Sequence, residues 1–208
     1  LKYDHDRYLR GRSGEREKEL ALYKVENQSY IHYGKGSIVL YALQDYIGED
    51  KVNSSMKSFL EKYRYKTPYP TSLDFLSILE SKMPDSLSYL IDDWFKEITL
   101  YDNRLKKANA KKLENGKYEV KIQIEASKIK ADSLGNEMKV NLNEWIDIGV
   151  FSDIDEEELI YQKRVKVDDS LMNFTMVVDA LPLKAGIDPR HLLIDRVFDD
   201  NIKAITLE

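Results

Sequence analysis

Residues able to do chemistry are sparse in this chain. Its three histidines, His5, His32 and His191, lie far apart, and none is paired with another at i, i+4. The H-E-x-x-H spacing that puts two imidazoles on one helical face is absent, so each histidine reads as a surface or packed residue rather than a ligand. No metal site built wholly by residues 1–208 is expected. There is no cysteine, which excludes disulfides, thiolate zinc sites and a cysteine nucleophile but leaves the cellular compartment open. No Walker loop, dinucleotide fingerprint or G-x-S-x-G elbow occurs. Gly34-Lys35-Gly36 lacks the spacing of a phosphate loop, and Gly36 reads as a tight turn into a helix starting at Ser37. The acidic run Asp153–Glu158 lacks the regular spacing and glycine of a calcium loop and reads as a solvated surface. Gly186–Pro189 and Asp195–Asn201 read as tight turns connecting the last strands, which is preferred to a cation site among Asp188, Asp195, Asp199 and Asp200. Tyr33, one of 14 tyrosines, is on these grounds alone a packing residue at a helix entrance.

These residues need elements to position them. The 208 residues are 42 % hydrophobic and 33 % charged, enough for a buried core under a solvated surface. Thirty-two basic against 37 acidic residues give a net charge of −5, which argues against a nucleic-acid partner or an anionic membrane surface. No apolar run approaches the roughly 18–20 residues of a spanning helix. The chain opens at Leu1 inside a polar stretch with no signal-peptide pattern, as expected of a piece of a longer protein.

Before about residue 105 the apolar period is helical. Ile38, Val39, Ala42, Leu43, Tyr46 and Ile47 form one stripe, ended by Gly48. Asp50 is placed to cap a second helix carrying Val52, Met56, Phe59, Leu60 and Tyr63, which must stop before Pro68 and Pro70. Thr71 with Asp74 resembles a capping box ahead of Leu73, Leu76, Leu79 and Met83. A last helix after Pro84-Asp85 would bury Leu87, Leu90, Ile91, Trp94, Phe95 and Ile98, and a further one near residues 2–10 is anchored weakly by Tyr3, Tyr8 and Leu9. After residue 105 the period falls to two. Tyr118–Ile124, Met138–Leu142, Trp145–Phe151, Leu159–Val167, Phe174–Val178 and Lys203–Leu207 read as strands of an antiparallel sandwich. The fold class is therefore α+β in two units: an α-helical domain over 1–104 and a β-sandwich domain over 105–208. Phe59, Leu76, Trp94 and Phe95 are expected in the first core, and Val120, Ile122, Trp145, Ile148 and Val177 in the second.

The run from Val25 to Gly48 carries Tyr33-Gly34-Lys35-Gly36 into a helix ending at Gly48-Glu49-Asp50. It resembles the corresponding segment of the aminopeptidase N family, zinc peptidases with a thermolysin-like catalytic domain, in which Tyr-x-Lys-Gly enters a helix. The residue between Tyr and Lys is often Glu there, and Gly34 stands in its place. Leu90–Phe95 is similar to the tryptophan-bearing helix that closes the family's catalytic domain. Pro182–Pro189, Leu193–Arg196 and Asp199–Asn201 are similar to the closing segments of its small β-sandwich, particularly in bacterial members fused to a transporter-like permease.

The resemblance implies that residues 1–208 are the C-terminal portion of a zinc-dependent aminopeptidase acting on peptide substrates. The zinc ligands and the G-x-M-E-N motif would belong to a missing N-terminal catalytic half. The resemblance thus carries over one catalytic position, Tyr33, as the phenol that donates a hydrogen bond to the carbonyl oxyanion. Alone, residues 1–208 would bind no catalytic zinc and be inactive. The alternative, from a different class, is a non-catalytic helix-plus-β-sandwich interaction module.

Overall fold

The computed structural model describes residues 1–208. It has the expected α+β class, a helical first part followed by two largely antiparallel sheets. Two compact units emerge. One comprises residues 1–99 with 130–137 and 192–194; the other comprises 100–129, 138–191 and 195–208.

In the first unit, α1 spans Lys2–Ser13, α2 Gly36–Ile47, α3 Glu49–Tyr63 and α4 Ser72–Glu80. The stripe on α2 is buried as its spacing requires, with Ile38 and Leu43 fully enclosed. Gly48, at φ +95°, ends that helix in a conformation that costs other residues energy. Gly48 also precedes α3 directly, so Asp50 sits in the first turn rather than at the cap. At α4 the capping box is complete: Thr71 N donates to Asp74 Oδ2 at 2.8 Å, and the Thr71 side chain accepts from the third helical N–H. The α3 stripe is shallower than its spacing suggests. Val52 is buried, Phe59 is half-buried against Phe75 and Tyr63, and Leu60 is exposed. The region after Pro84 is not one regular helix. A 3₁₀ turn at Asp85–Leu87 is followed by a π-helical turn at Ile91–Lys96, which buries Trp94 and Phe95.

The strands are β1 (Ile98–Lys112), β2 (Tyr118–Ala131), β3 (Glu137–Val140), β4 (Glu144–Phe151), β5 (Leu159–Val167), β6 (Leu171–Val178), β7 (Lys184–Ile187), β8 (Ile202–Ala204) and β9 (Thr206–Leu207), and all but residues 98–99, 130–131 and 137 belong to the second unit. One sheet runs β3-β2-β1-β9, with β6 on the first half of β2; the other runs β5-β4-β7-β8. Strand β1 is the element the alternation did not reveal. Its buried positions Tyr101, Asn103 and Leu105 slip by one to Ala108 and Ala110, and a buried asparagine hides the period.

Three expectations are corrected here. Val177 is half-exposed, because β6 buries Met176 and Val178, the opposite parity. Trp145 is only half-buried, while Ile146 and Ile148 on the same strand are buried. Gly186-Ile187 is not a turn but the end of β7. A Cβ on Gly186 would lie 2.6 Å from Asn201 O, so its glycine serves close strand packing.

Buried charge holds the two sheets. Glu144 accepts from Lys128 at 2.8 Å and from the Tyr101 hydroxyl at 3.2 Å. Asp147 stands directly opposite Arg164 in the β4–β5 register. It receives both Arg164 Nε (2.9 Å) and Nη2 (3.0 Å), Arg190 Nη2 (2.9 Å) and Gln162 Nε2 (2.8 Å). Asp195 accepts from the backbone of Asn103 (2.9 Å) and Val197 (2.9 Å), and burial raises its carboxyl to about 6.

Candidate functional site at the tyrosine 33 turn

Tyr33 lies inside a π-helical turn, Tyr30–Lys35, that runs without a break into α2. Gly36 has helical angles (φ −61°, ψ −40°), so it makes no turn, contrary to the expectation from its sequence position. A π turn inserts one residue more than an α turn and loosens the carbonyl ladder. Ser37 Oγ compensates by donating to the carbonyls of Tyr33 (2.6 Å) and Gly34 (3.0 Å). Ile31, Gly34 and Lys35 face inward, while Tyr33 is 62 % exposed.

Two glycines let α1 lie against this turn. A Cβ on Gly34 would come within 3.3 Å of the Tyr8 backbone nitrogen, and one on Gly11 within 2.3 Å of Tyr30 Cβ. That contact explains Gly34 physically: α1 occupies the room a side chain would need.

Beneath the turn is a buried polar layer. The Tyr8 hydroxyl donates to Glu19, which also receives Arg12 Nε at 2.7 Å. Arg12 reaches Glu137 at 3.1 Å. Burial first, and Glu19 second, push the Tyr8 phenol well above its ordinary value. Tyr30 donates to Glu15 at 3.0 Å. Lys35 is fully buried and donates to the Glu97 carbonyl at 2.9 Å, joining the two π turns. Burial lowers its ammonium to about 8. Lys130 pairs with Asp93 (3.3 Å) and with Glu97.

On the outer side, the His32 ring lies 4.4 Å from the Tyr33 ring, and the Arg7 guanidinium carbon sits 5.2 Å from its centroid. A phenol so placed can donate a hydrogen bond outward. Two concavities of the unit, about 490 Å³ by Glu15, Glu17 and Glu26 and about 410 Å³ by Lys18, Lys24, Lys96 and Lys130, are not lined by Tyr33.

The structure does not bring the histidines together. His5 is buried in α1, His32 flanks Tyr33, and His191 is buried in the second unit against Phe198. No group of three or more His, Asp or Glu is arranged to hold a metal ion, so the residues present do not fit a zinc site. The acidic run 153–158 folds on itself, Asp153 accepting from the backbone of Glu157 and Glu158 at 2.9 Å each. Sequence reasoning missed Arg7 and the burial of Lys35. Lys35 had a signal, a lysine between two glycines on the inward side of a helix entrance, whereas nothing links Arg7 to a tyrosine 26 positions later.

No family model matches the chain, and no curated protein does. Among solved structures, aminopeptidase A of Legionella pneumophila, in complex with aspartic acid, is similar at 15 % identity and a TM-score of 0.43. The match covers 86 % of this chain and 18 % of that one. No helix is long and apolar enough to cross a membrane.

Proposed function

We propose that residues 1–208 form the C-terminal portion of an aminopeptidase-N-like zinc metallopeptidase, with 1–104 closing the catalytic domain and 105–208 forming the sandwich that follows. The zinc ligands belong to a catalytic half outside this chain, so water activation is absent from residues 1–208. The reading rests on the sequence resemblance, and one observation carries it to a residue: the phenol of Tyr33 stands exposed on a turn packed rigidly from beneath. When water attacks a peptide carbonyl, negative charge grows on the oxygen, and a neutral phenol can donate to it without losing its own proton. In this role Tyr33 stabilises the transition state more than the bound substrate, which raises kcat rather than merely lowering KM.

The test is Tyr33→Phe in the full-length protein. Loss of one oxyanion donor is expected to lower kcat by roughly 10²–10³-fold with zinc content and stability unchanged. Comparable turnover by the Phe variant would reject Tyr33. A full-length sequence lacking H-E-x-x-H and a later Glu would reject the peptidase in favour of a non-catalytic interaction module.

A further inference from the structure

Arg7 is the residue beside Tyr33 that the proposed oxyanion chemistry does not use. Its guanidinium lies over the Tyr33 ring, and no carboxylate forms an ion pair with it, although Asp4 and Asp6 share its helix and Asp6 pairs with Arg10 at 3.5 Å. It remains partly exposed. Its position is set by its neighbour: Tyr8 is fully buried, bonded to Glu19 and pressed against Gly34, and Gly11 one turn later is pressed against Tyr30. Helix α1 therefore cannot rotate or slide over the π turn without breaking both contacts, and Arg7 is carried rigidly on the Tyr33 side. A guanidinium 5.2 Å from the ring centroid, with no carboxylate of its own, has a planar fork of N–H donors that matches the two oxygens of a carboxylate. Contact with the ring also limits the side-chain freedom lost when such a ligand binds.

We infer that Arg7 is a specificity residue that binds a carboxylate of the peptide substrate close to the carbonyl served by Tyr33. This rests on the reading of Tyr33 as the oxyanion donor. The carboxylate has two sources, the free C-terminus of a short peptide or an acidic side chain just beyond the cleaved bond. Either would lie one residue from the scissile carbonyl, a spacing that suits a cation 5.2 Å from the donor's own ring.

The experiment compares Arg7→Met and Arg7→Lys with the parent residue in the full-length protein. Three substrates share one N-terminal residue: a dipeptide acid ending in Ala, its amide, and an amide with Glu in place of Ala. Loss of a charge-assisted hydrogen bond should lower kcat/KM by about 10–100-fold for carboxylate-bearing substrates, mainly through KM, with the neutral amide changed less than about twofold. Loss confined to the dipeptide acid identifies the C-terminus as the ligand; loss confined to the Glu amide identifies the side chain. Arg7→Lys should recover part of the loss, since it keeps the charge but not the fork. Equal effects on all three substrates, or none, would overturn the assignment. Tyr33→Phe measured in parallel should lower kcat on all three alike. If it does not, the oxyanion reading has failed, separately from this one. Binding is also read without turnover, by titrating N-acetylglutamate amide and, separately, N-acetylalanine while following the Arg7 Nε–H resonance. A resonance that moves with neither ligand would overturn the inference even if turnover is never detected.

Discussion

Both units of the molecule bury charge, but they do so differently. In the sandwich, Asp147 stands opposite Arg164 in the β4–β5 register and also receives Arg190, Glu144 pairs with Lys128 of the other sheet, and Asp195 accepts from backbone N–H groups. In the helical unit, Lys35 is wholly enclosed and its ammonium donates to a backbone carbonyl, with Glu19, Asp93 and Glu97 acting only from farther off. A sheet ladder repeats at fixed spacing and can bring opposite charges face to face. A helix crossing offers no such register, and the π turn at 30–35 takes the nearest oxygen. The sandwich charges tie its sheets together. The helical ones underlie a turn whose outer face carries Tyr33 and Arg7.

The sharpest way to break this contrast is Asp147→Ala, which leaves two guanidiniums without their carboxylate. Removing one partner of a buried pair costs about 3–5 kcal/mol, and the partial exposure of both arginines places the expectation at about 3 kcal/mol. Chemical denaturation would measure it, and a loss under about 1 kcal/mol would mean these ion pairs do not hold the β4–β5 ladder.

Next come two pH slopes of opposite sign. Folded Lys35, at about 8 against an ordinary 10.5, holds its proton less tightly than the unfolded chain. Stability should therefore rise between about pH 8 and 10.5, by on the order of 2–3 kcal/mol, and Lys35→Met should flatten that rise. Folded Asp195, at about 6 against 3.8, holds its proton more tightly. Its contribution is fully present below about pH 3.8 and is lost as pH rises to about 6, again on the order of 2–3 kcal/mol. Asp195→Asn should remove that fall. Difference curves between each variant and the parent chain isolate the two groups, and a flat difference curve would show that the group is solvated.

A smaller effect separates the two tyrosines. Tyr101→Phe removes a buried hydroxyl from Glu144 and should cost about 1–2 kcal/mol of stability. Tyr33→Phe, on an exposed ring, should stay within about 0.5 kcal/mol by the same chemical denaturation. A contrast of similar size lies within one strand: Val177→Thr should change stability by under about 0.5 kcal/mol, whereas Met176→Ala should cost about 2 kcal/mol or more.

Much of the fold could be read from local pattern because its causes are local. The α2 stripe ending at Gly48, the Thr71–Asp74 capping box and the alternation Val120, Ile122, Ile124 each depend on residues within one or two turns of one another, so spacing alone reveals them. The misreadings share a different origin. The parity of β6 depends on which face of β2 it meets, through a register running from Tyr118↔Val178 to Glu125↔Leu171. Strand β1 was hidden because Asn103 is buried, and its backbone bonds to Asp195, 92 positions away. Gly186 looked like turn chemistry because glycine serves close approach as readily as a tight turn, and only the neighbouring strand tells them apart.

By itself, the sequence determined the α+β order, most helix and strand positions, and the isolation of Tyr33 as the one residue that resemblance could carry into a mechanism. Tertiary structure decided what surrounds that residue. It put the turn in π geometry, enclosed Lys35, and laid α1 across Gly34 so that Arg7 reached the Tyr33 ring from 26 residues away. Spacing encodes neighbours along one helix or strand; a contact between two helices is set by where small residues allow their backbones to meet, which no period in either helix records.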